Sequence, residues 1–200
     1  LTTAYNISTA TLRTSIDVGS YTEPGLSNTG NHAAMQVVFN NDGTKMIIDD
    51  FKVPIIKKGV SSVSSLKNEF INKKIILFGV PGAFTPTCSE KHFPGYVKLY
   101  NSFINKKIDG IYCLSVNDEH VMKSWLLSYT NGEIINGIAD GNAEITKYFD
   151  LLSDKTKNYM GFRCRRFAMI IENNMIINKF IENDGEYRVS SAEYILEQIQ

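Results

Sequence analysis

The apolar positions of this chain come in two rhythms. Short runs of β-branched and aromatic residues bounded by Gly, Asn and charged turns read as strands, and longer stretches with apolar residues three and four apart read as helices. Lys74-Ile75-Ile76-Leu77-Phe78-Gly79-Val80 is a continuous apolar run after a charged turn, the pattern of a strand buried on both faces. Pro81 and Gly82 break it, and from Thr87 to Phe103 the chain can hold a helix, with Leu99 and Phe103 four apart and Tyr96 and Tyr100 beside them. A second buried strand is predicted near Ile111–Val116, followed by a helix opened by Asn117 or Asp118 and running through Tyr129, a short strand near Ile134–Ala139 and a helix near Ala143–Phe149. The pattern then changes. Strands near Arg166–Ile171 and Met175–Glu182, joined at Asn173-Asn174, make a hairpin, and Ser190–Ile199 forms a closing helix that Ser190-Ser191-Ala192-Glu193 opens as a capping box. Alternating βα units followed by a hairpin and a helix imply an α/β fold with a central mixed β-sheet flanked by helices.

The N-terminal part carries no such rhythm. From Leu1 to about His32 the sequence is rich in Thr, Ser, Asn and Gly, which predicts a flexible extension over residues 1–32 attached to one domain over residues 33–200. Its low acidic content and Arg13 resemble the remainder of an organellar targeting segment, and a plain disordered tail fits equally. The expected location is therefore the cytoplasm, or an organelle such as a mitochondrion or plastid. At 200 residues, 43% hydrophobic, with 21 basic and 21 acidic side chains, the chain suits a domain with a sizeable core. It shows no basic stripe for nucleic acid, and no apolar run approaches the roughly 18 residues of a membrane span. Three irregularly spaced cysteines point to a reducing compartment, not a disulfide scaffold.

One of those cysteines sits where the buried strand turns into a helix. In Val80-Pro81-Gly82-Ala83-Phe84-Thr85-Pro86-Thr87-Cys88-Ser89-Glu90-Lys91-His92, Cys88 falls in or near the first helical turn. Unpaired backbone N–H groups and the positive end of the helix dipole favour an anion there, which lowers a thiol pKa from its free value near about 8.5. Thr85 can turn its hydroxyl toward the sulfur without adding a titratable group. Pro81 offers no N–H to water and can shield the sulfur from solvent.

At these residues the sequence resembles a known family. Pro81, Thr85 and Cys88 match the peroxiredoxin signature, and Leu77-Phe78-Gly79-Val80-Pro81-Gly82-Ala83-Phe84-Thr85-Pro86 resembles the type-5 subfamily. The resemblance continues through Cys113-Leu114-Ser115-Val116-Asn117-Asp118, Trp125, Ala139-Asp140 and Arg165-Arg166-Phe167-Ala168-Met169, covering about Met46 to Gln200. It implies a thioredoxin-like fold and a thiol peroxidase in which Cys88 attacks the O–O bond of a hydroperoxide and becomes a sulfenic acid. Arg166 matches the family's active-site arginine. An always-protonated guanidinium near the sulfur stabilises the anion and can bind a peroxide oxygen, so Thr85, Arg166 and His92 are the expected substrate contacts. No cofactor and no metal are implied, since the thiol itself carries the chemistry.

The remaining residues decide the subclass. Type-5 members that resolve the sulfenic acid internally carry a cysteine shortly after an Asp-Gly; here Asp184-Gly185 is followed by Ser190 at that place. The chain thus resembles a one-cysteine member whose reductant is an external thiol, glutathione with glutaredoxin or else thioredoxin. Cys113 reads as a small core residue on its strand. Strand alternation would place Cys164 on the same face as Arg166, either as an unconventional resolving thiol or as a partly buried thiol at a strand entrance. Trp125 reads as core or interface. His92, four residues after Cys88, lies on the same helix face; zinc binding lacks further ligands and a hydrolase lacks an orienting partner, so a pocket wall or surface position near the incoming reductant is expected. The resemblance also implies a homodimer through surfaces near the active-site loop. A peroxide sensor passing its oxidation to a partner protein, and a binding module with an unreactive Cys88, are the rival readings.

Overall fold

The computed structural model describes residues 46–199, together with the backbone pairing of two short strands, β1 (Ser15–Asp17) and β2 (Gln36–Val38). Apart from β1, the extension expected over residues 1–32 lies outside the described residues. The chain continues as β3 (Lys52–Lys57), β4 (Val60–Ser65), α1 (Leu66–Phe70) and β5 (Lys74–Gly79). A π-helical turn over Cys88–His92 leads into α2 (Phe93–Asn105), then come β6 (Gly110–Ser115), α3 (Glu119–Leu127), β7 (Asn136–Ala139) and α4 (Glu144–Tyr148). β8 (Leu152–Asp154), β9 (Phe162–Cys164), β10 (Phe167–Glu172), β11 (Met175–Ile181) and α5 (Ala192–Gln198) complete it.

Among the described residues one mixed sheet runs in the order β1-β2-β11-β10-β5-β6-β7-β3-β4, and β8 pairs with β9 apart from it. β5, β6 and β7 are parallel, whereas β10 runs antiparallel to β5 and β3 antiparallel to β7. This is the thioredoxin-like architecture the βα rhythm anticipates. β5 sits between β10 and β6, so its alternate residues are buried on opposite faces. Ile76 and Phe78 join Phe93, Tyr96, Phe103, Trp125 and Ile195 on one face. Ile75 and Leu77 join Phe70, Phe149, Leu151 and Phe167 on the other. Each fully buried side chain of this kind is worth about 1.5–3 kcal/mol, so the central strand anchors both layers.

Local chemistry sets the boundaries. Asp118 caps α3 by accepting the N–H groups of His120 and Val121 at 2.8 and 2.9 Å. Gly79 faces Phe167 in the β5–β10 register, and a Cβ there would lie 1.9 Å from the Phe167 ring. Only glycine lets that ring cross the end of β5.

Three expectations need correcting. Ser191, not Ser190, caps α5, accepting from the Tyr194 N–H at 3.2 Å, because the Ser190 hydroxyl is drawn to the buried carboxylate of Glu182 at 2.8 Å. Arg166 precedes β10 instead of opening it. Cys164 ends β9, a strand of the separate two-stranded sheet, so no strand alternation links it to Arg166.

Candidate active site

The loop after β5 is held open by its neighbours. The Val80 N–H donates to Leu114 O at 3.0 Å, which continues the sheet for one more residue. Asn117 then accepts the Ala83 N–H at 3.0 Å and the Ser115 hydroxyl at 2.7 Å. Arg163 ties down the adjoining segment after β6, donating from Nη1 to Val116 O at 3.0 Å, while its Nε donates to Met160 O at 2.6 Å. Phe84 takes a left-handed conformation with φ 61°, and the following residues start the helix, the Ser89 N–H donating to Thr85 O at 2.9 Å.

Cys88 lies at the beginning of that helix and is fully buried. The Phe93 N–H reaches back five residues to Cys88 O, a widened turn of the kind often found at functional sites. It is locked from outside: Trp125 Nε1 donates to Ser89 Oγ and the Tyr129 hydroxyl to Ser89 O, both at 3.0 Å. Trp125 is fully buried, as its place in the sequence suggested.

Arg166 closes the site from the sheet. Its Nη2 donates to Cys88 Sγ at 3.5 Å and its Nη1 to His92 Nδ1 at 3.0 Å. The guanidinium carbon lies 5.8 Å from the Tyr187 ring centre, within range of a cation–π contact. A guanidinium has no acceptor, so His92 Nδ1 must accept and Nε2 carries the proton, which it donates to Ser190 O at 2.9 Å. The Tyr96 hydroxyl donates to the same carbonyl at 2.8 Å. Burial first, and then the Arg166 charge, push the His92 pKa down to about 3, against the smaller opposing pull of Ser190 O.

His92 is therefore no surface residue at a pocket mouth. It is fully buried between the rings of Phe78 and Tyr187, and both nitrogens are engaged, so it orients Arg166 and has no N–H left for a substrate. The same pairing removes it as a base for a hydrolase. Thr85 also differs from expectation: its hydroxyl donates to Gly82 O at 2.9 Å and not to the sulfur. Pro81 lies half-buried and, with Arg166, lines a cavity of about 300 Å³ beside the site.

The other cysteines occupy different surroundings. Cys113 belongs to the same apolar cluster as Cys88, and burial pushes its thiol well up. Cys164 belongs to the cluster on the other face; its S–H donates to Arg165 O at 3.0 Å, and burial raises its thiol too. Sequence reasoning missed Tyr187, Asn117 and Glu182 as parts of the site. Asn117 stands inside the Cys113–Asp118 string, and Glu182 is a charged residue ending an apolar strand; Tyr187 had no local signal, because only the fold brings its loop to Arg166.

A cysteine at a helix start after the central strand, faced by an arginine from just before the neighbouring antiparallel strand, defines a thiol redox protein of thioredoxin-like fold. Comparison with known proteins makes this specific. The chain matches the Redoxin family over residues 42–196 and belongs to it. It is 46% identical to Peroxiredoxin-2D of Arabidopsis thaliana over 127 residues, 64% of this chain and 78% of that one. Among solved structures it is similar to reduced Prx3 in complex with H2O2 from Vibrio vulnificus, with TM-score 0.73 and 37% identity, covering 78% of this chain and 98% of that one. It is also similar to the Plasmodium falciparum antioxidant protein (1-Cys peroxiredoxin), with TM-score 0.70 and 36% identity, covering 77% and 96%. Its relatives are peroxiredoxins, and the activity this supports is thiol-dependent peroxide reduction.

Proposed function

We propose that this chain is a one-cysteine peroxiredoxin of the type-5 subfamily in which Cys88 reduces hydrogen peroxide and organic hydroperoxides. The observation that carries the reading is the Arg166 N–H 3.5 Å from Cys88 Sγ at a helix start. Cys88 attacks as the thiolate. Its sulfur forms a bond to one peroxide oxygen as the O–O bond breaks, the other oxygen leaves as water or an alcohol after taking a proton from solvent, and the sulfur is left as the sulfenic acid. A more acidic thiol is a weaker nucleophile, so acidity alone does not make this step fast. Arg166 supplies the further term by stabilising negative charge on the sulfur before attack and on the leaving oxygen during it. His92 fixes the guanidinium, and the Thr85 hydroxyl retains lone pairs that can accept a proton-bearing peroxide oxygen. Pro81 limits access of water.

We assign resolution to an external thiol, glutathione with glutaredoxin in preference to thioredoxin. Ser190 stands where a resolving cysteine would be and is committed to Glu182, while Cys164 lies in the apolar cluster of the opposite face. The similar Plasmodium falciparum protein is described as a 1-Cys peroxiredoxin, which favours the same reading. We also assign a homodimer using the face around the active-site loop, where Phe84 is 59% exposed. The assignment to cytoplasm or an organelle rests on N-terminal composition. No helix among the described residues is long and apolar enough to cross a membrane.

The test is peroxide consumption by wild type, Cys88→Ser and a Cys113→Ser/Cys164→Ser double variant, supplied with glutathione and glutaredoxin or with thioredoxin. Activity lost only in Cys88→Ser, with turnover on glutathione, is the expected result. A requirement for Cys113 or Cys164 would replace the one-cysteine subclass by internal resolution, and an inert wild type would refute the peroxidase.

A further inference from the structure

The guanidinium that faces Cys88 is only as well placed as the groups that hold it, and these lead away from the sulfur to the loop between β11 and α5. Arg166 divides its donors between Cys88 Sγ at 3.5 Å and His92 Nδ1 at 3.0 Å. The second bond exists in one tautomer of the imidazole only. With the proton on Nδ1, an N–H would confront a guanidinium that has nothing but donors. Ser190 O selects the other tautomer: it accepts from His92 Nε2 at 2.9 Å, and from the Tyr96 hydroxyl at 2.8 Å as well. A carbonyl oxygen donates nothing, so an imidazole at that distance presents its proton there. What places Ser190 O therefore places Arg166.

Glu182 does this. It follows the last residue of β11 and is 2% exposed. Its Oε1 collects three donors from the far end of the loop, the Arg188 N–H at 2.6 Å, the Ser190 N–H at 2.9 Å and the Ser190 hydroxyl at 2.8 Å. Its main chain holds the near end: the Glu182 N–H donates to Arg166 O at 2.9 Å, and Glu182 O accepts from Arg165 Nη2 at 2.9 Å. One residue thus grips both the backbone of the arginine and the carbonyl that orients the arginine's histidine. The loop it closes also carries Tyr187, whose ring centre is 5.8 Å from the guanidinium carbon of Arg166 and 5.2 Å from the centre of the His92 ring. Closing a loop does not by itself call for a carboxylate. Burying one is costly unless its oxygens are hydrogen-bonded, and Oε2 is buried with no partner among the described residues. What a carboxylate adds is stiffness, because hydrogen bonds to an ionised acceptor are shorter and roughly twice as strong.

We propose that Glu182 is a positioning residue for peroxide reduction: through the Ser190 carbonyl and the His92 tautomer it fixes the Arg166 guanidinium on Cys88. Hydrogen bonds run in succession from Glu182 to Ser190, from Ser190 to His92, from His92 to Arg166 and from Arg166 to the sulfur. The proposal rests on the reading that Cys88 reduces peroxides. Ser190 stands where a resolving cysteine would be and cannot resolve the sulfenic acid, but its main chain serves the step that forms it.

The experiment measures single-turnover oxidation of Cys88 by hydrogen peroxide in Glu182→Ala and Glu182→Gln, each made in wild type and in Arg166→Met, together with the ring-nitrogen NMR shifts of His92. Glu182→Ala is expected to slow oxidation about 10- to 100-fold in wild type, the cost of a donor displaced by about an ångström, and to make Arg166→Met no slower than it already is. Glu182→Gln keeps an oxygen for the three donors and should restore most of that rate, remaining about threefold below wild type. The His92 ring, protonated at Nε2 in wild type, is expected to become a mixture of tautomers in Glu182→Ala. Equal losses with and without Arg166, or an unchanged His92 tautomer, overturn the proposal and leave Glu182 as a clamp on its loop alone. If Glu182→Ala does not fold, Glu182→Gln decides: a loss seen only where Arg166 is present supports the proposal, and a wild-type rate or a loss shared by both backgrounds overturns it. If hydrogen peroxide does not oxidise the wild-type protein, the peroxidase reading fails by itself. The His92 tautomer then decides alone: a mixture in the folded Glu182 variant supports the positioning role, and an unchanged ring overturns it.

Discussion

Cys88 and Cys164 are both fully buried, yet they sit on opposite faces of one sheet and have opposite partners. Cys88 receives a guanidinium N–H at 3.5 Å, while Cys164 gives its own proton to Arg165 O at 3.0 Å. Two adjacent arginines separate them: Arg166 turns its charge to Cys88 and His92, and Arg165 turns its charge to the carbonyl of Glu182. Burial alone makes a thiol inert, because the thiolate is what desolvation penalises. The reactivity proposed for Cys88 rests on what accompanies its burial, a guanidinium N–H and a helix start at the sulfur, whereas Cys164 ends a short strand and donates its own proton.

The largest break in that comparison is removal of each sulfur in turn. Cys88→Ser should lower peroxide turnover by about 10³-fold or more, whereas Cys164→Ser should leave it within about twofold, both read by steady-state peroxide consumption. A large loss in Cys164→Ser would erase the distinction between the faces. Removing the charge comes next. Arg166→Met should slow single-turnover oxidation of Cys88 by about 10²–10³-fold, the range for losing one preorganised donor to developing charge.

On the Cys164 face, Gly79→Ala drives a methyl into the Phe167 ring, whose nearest atom would be 1.9 Å away. Urea unfolding should show a loss of about 1–3 kcal/mol, and Phe167→Leu in the same chain should recover part of it. On the Cys88 face the corresponding probe is pH. His92 is held neutral in the fold down to about 3, while in the unfolded chain it titrates near its ordinary 6.5. Above that value it adds no pH dependence. As pH falls below it, the unfolded state binds a proton that the folded state refuses, so stability declines continuously toward the folded pKa. Urea midpoints at neutral pH and at about pH 5 should therefore differ less in His92→Gln than in wild type. The smallest effect is expected at Phe84, where φ is 61°: Phe84→Gly relieves a strained backbone and should change stability by no more than about 1 kcal/mol.

Much of this was legible in the sequence because it is encoded locally. The continuous apolar run at Lys74–Val80, the Gly-Pro break after it and the Asp118 cap are local signals, and the structure has a buried strand, a loop and a helix start at those places. The helix beyond Thr87 could be read as well, but not the widened turn at Cys88–His92, whose Ser89 is held by Trp125 and Tyr129 from 36 and 40 residues along the chain. Arg166 was found through its motif, yet strand alternation misled about its neighbours. The short pairing of β8 with β9 takes Cys164 out of the main sheet, and period-two reasoning fails once a strand ends. Ser190 shows the same kind of failure: its sequence neighbourhood is a good capping box, but a buried carboxylate eight residues away in the chain offers its hydroxyl a stronger partner.

The sequence by itself determined the order of strands and helices from Lys74 to Phe149 and from the β10–β11 hairpin onward, the position of Cys88 at a helix start and the arginine that would accompany it, since each depends on residues close together in the chain or on a motif; the β3–β4 hairpin, α1 and the β8–β9 pair were not read from it. The tertiary structure decided which side chains those groups meet. It buried His92 between Arg166 and Ser190 O, and set Cys164 on the far face. The contacts of Arg166 with His92 and Cys88, and of His92 with Ser190, join segments about 75 to 100 residues apart, fixed by sheet register and loop packing, and burial and charge act on a group only through the neighbours that folding gives it.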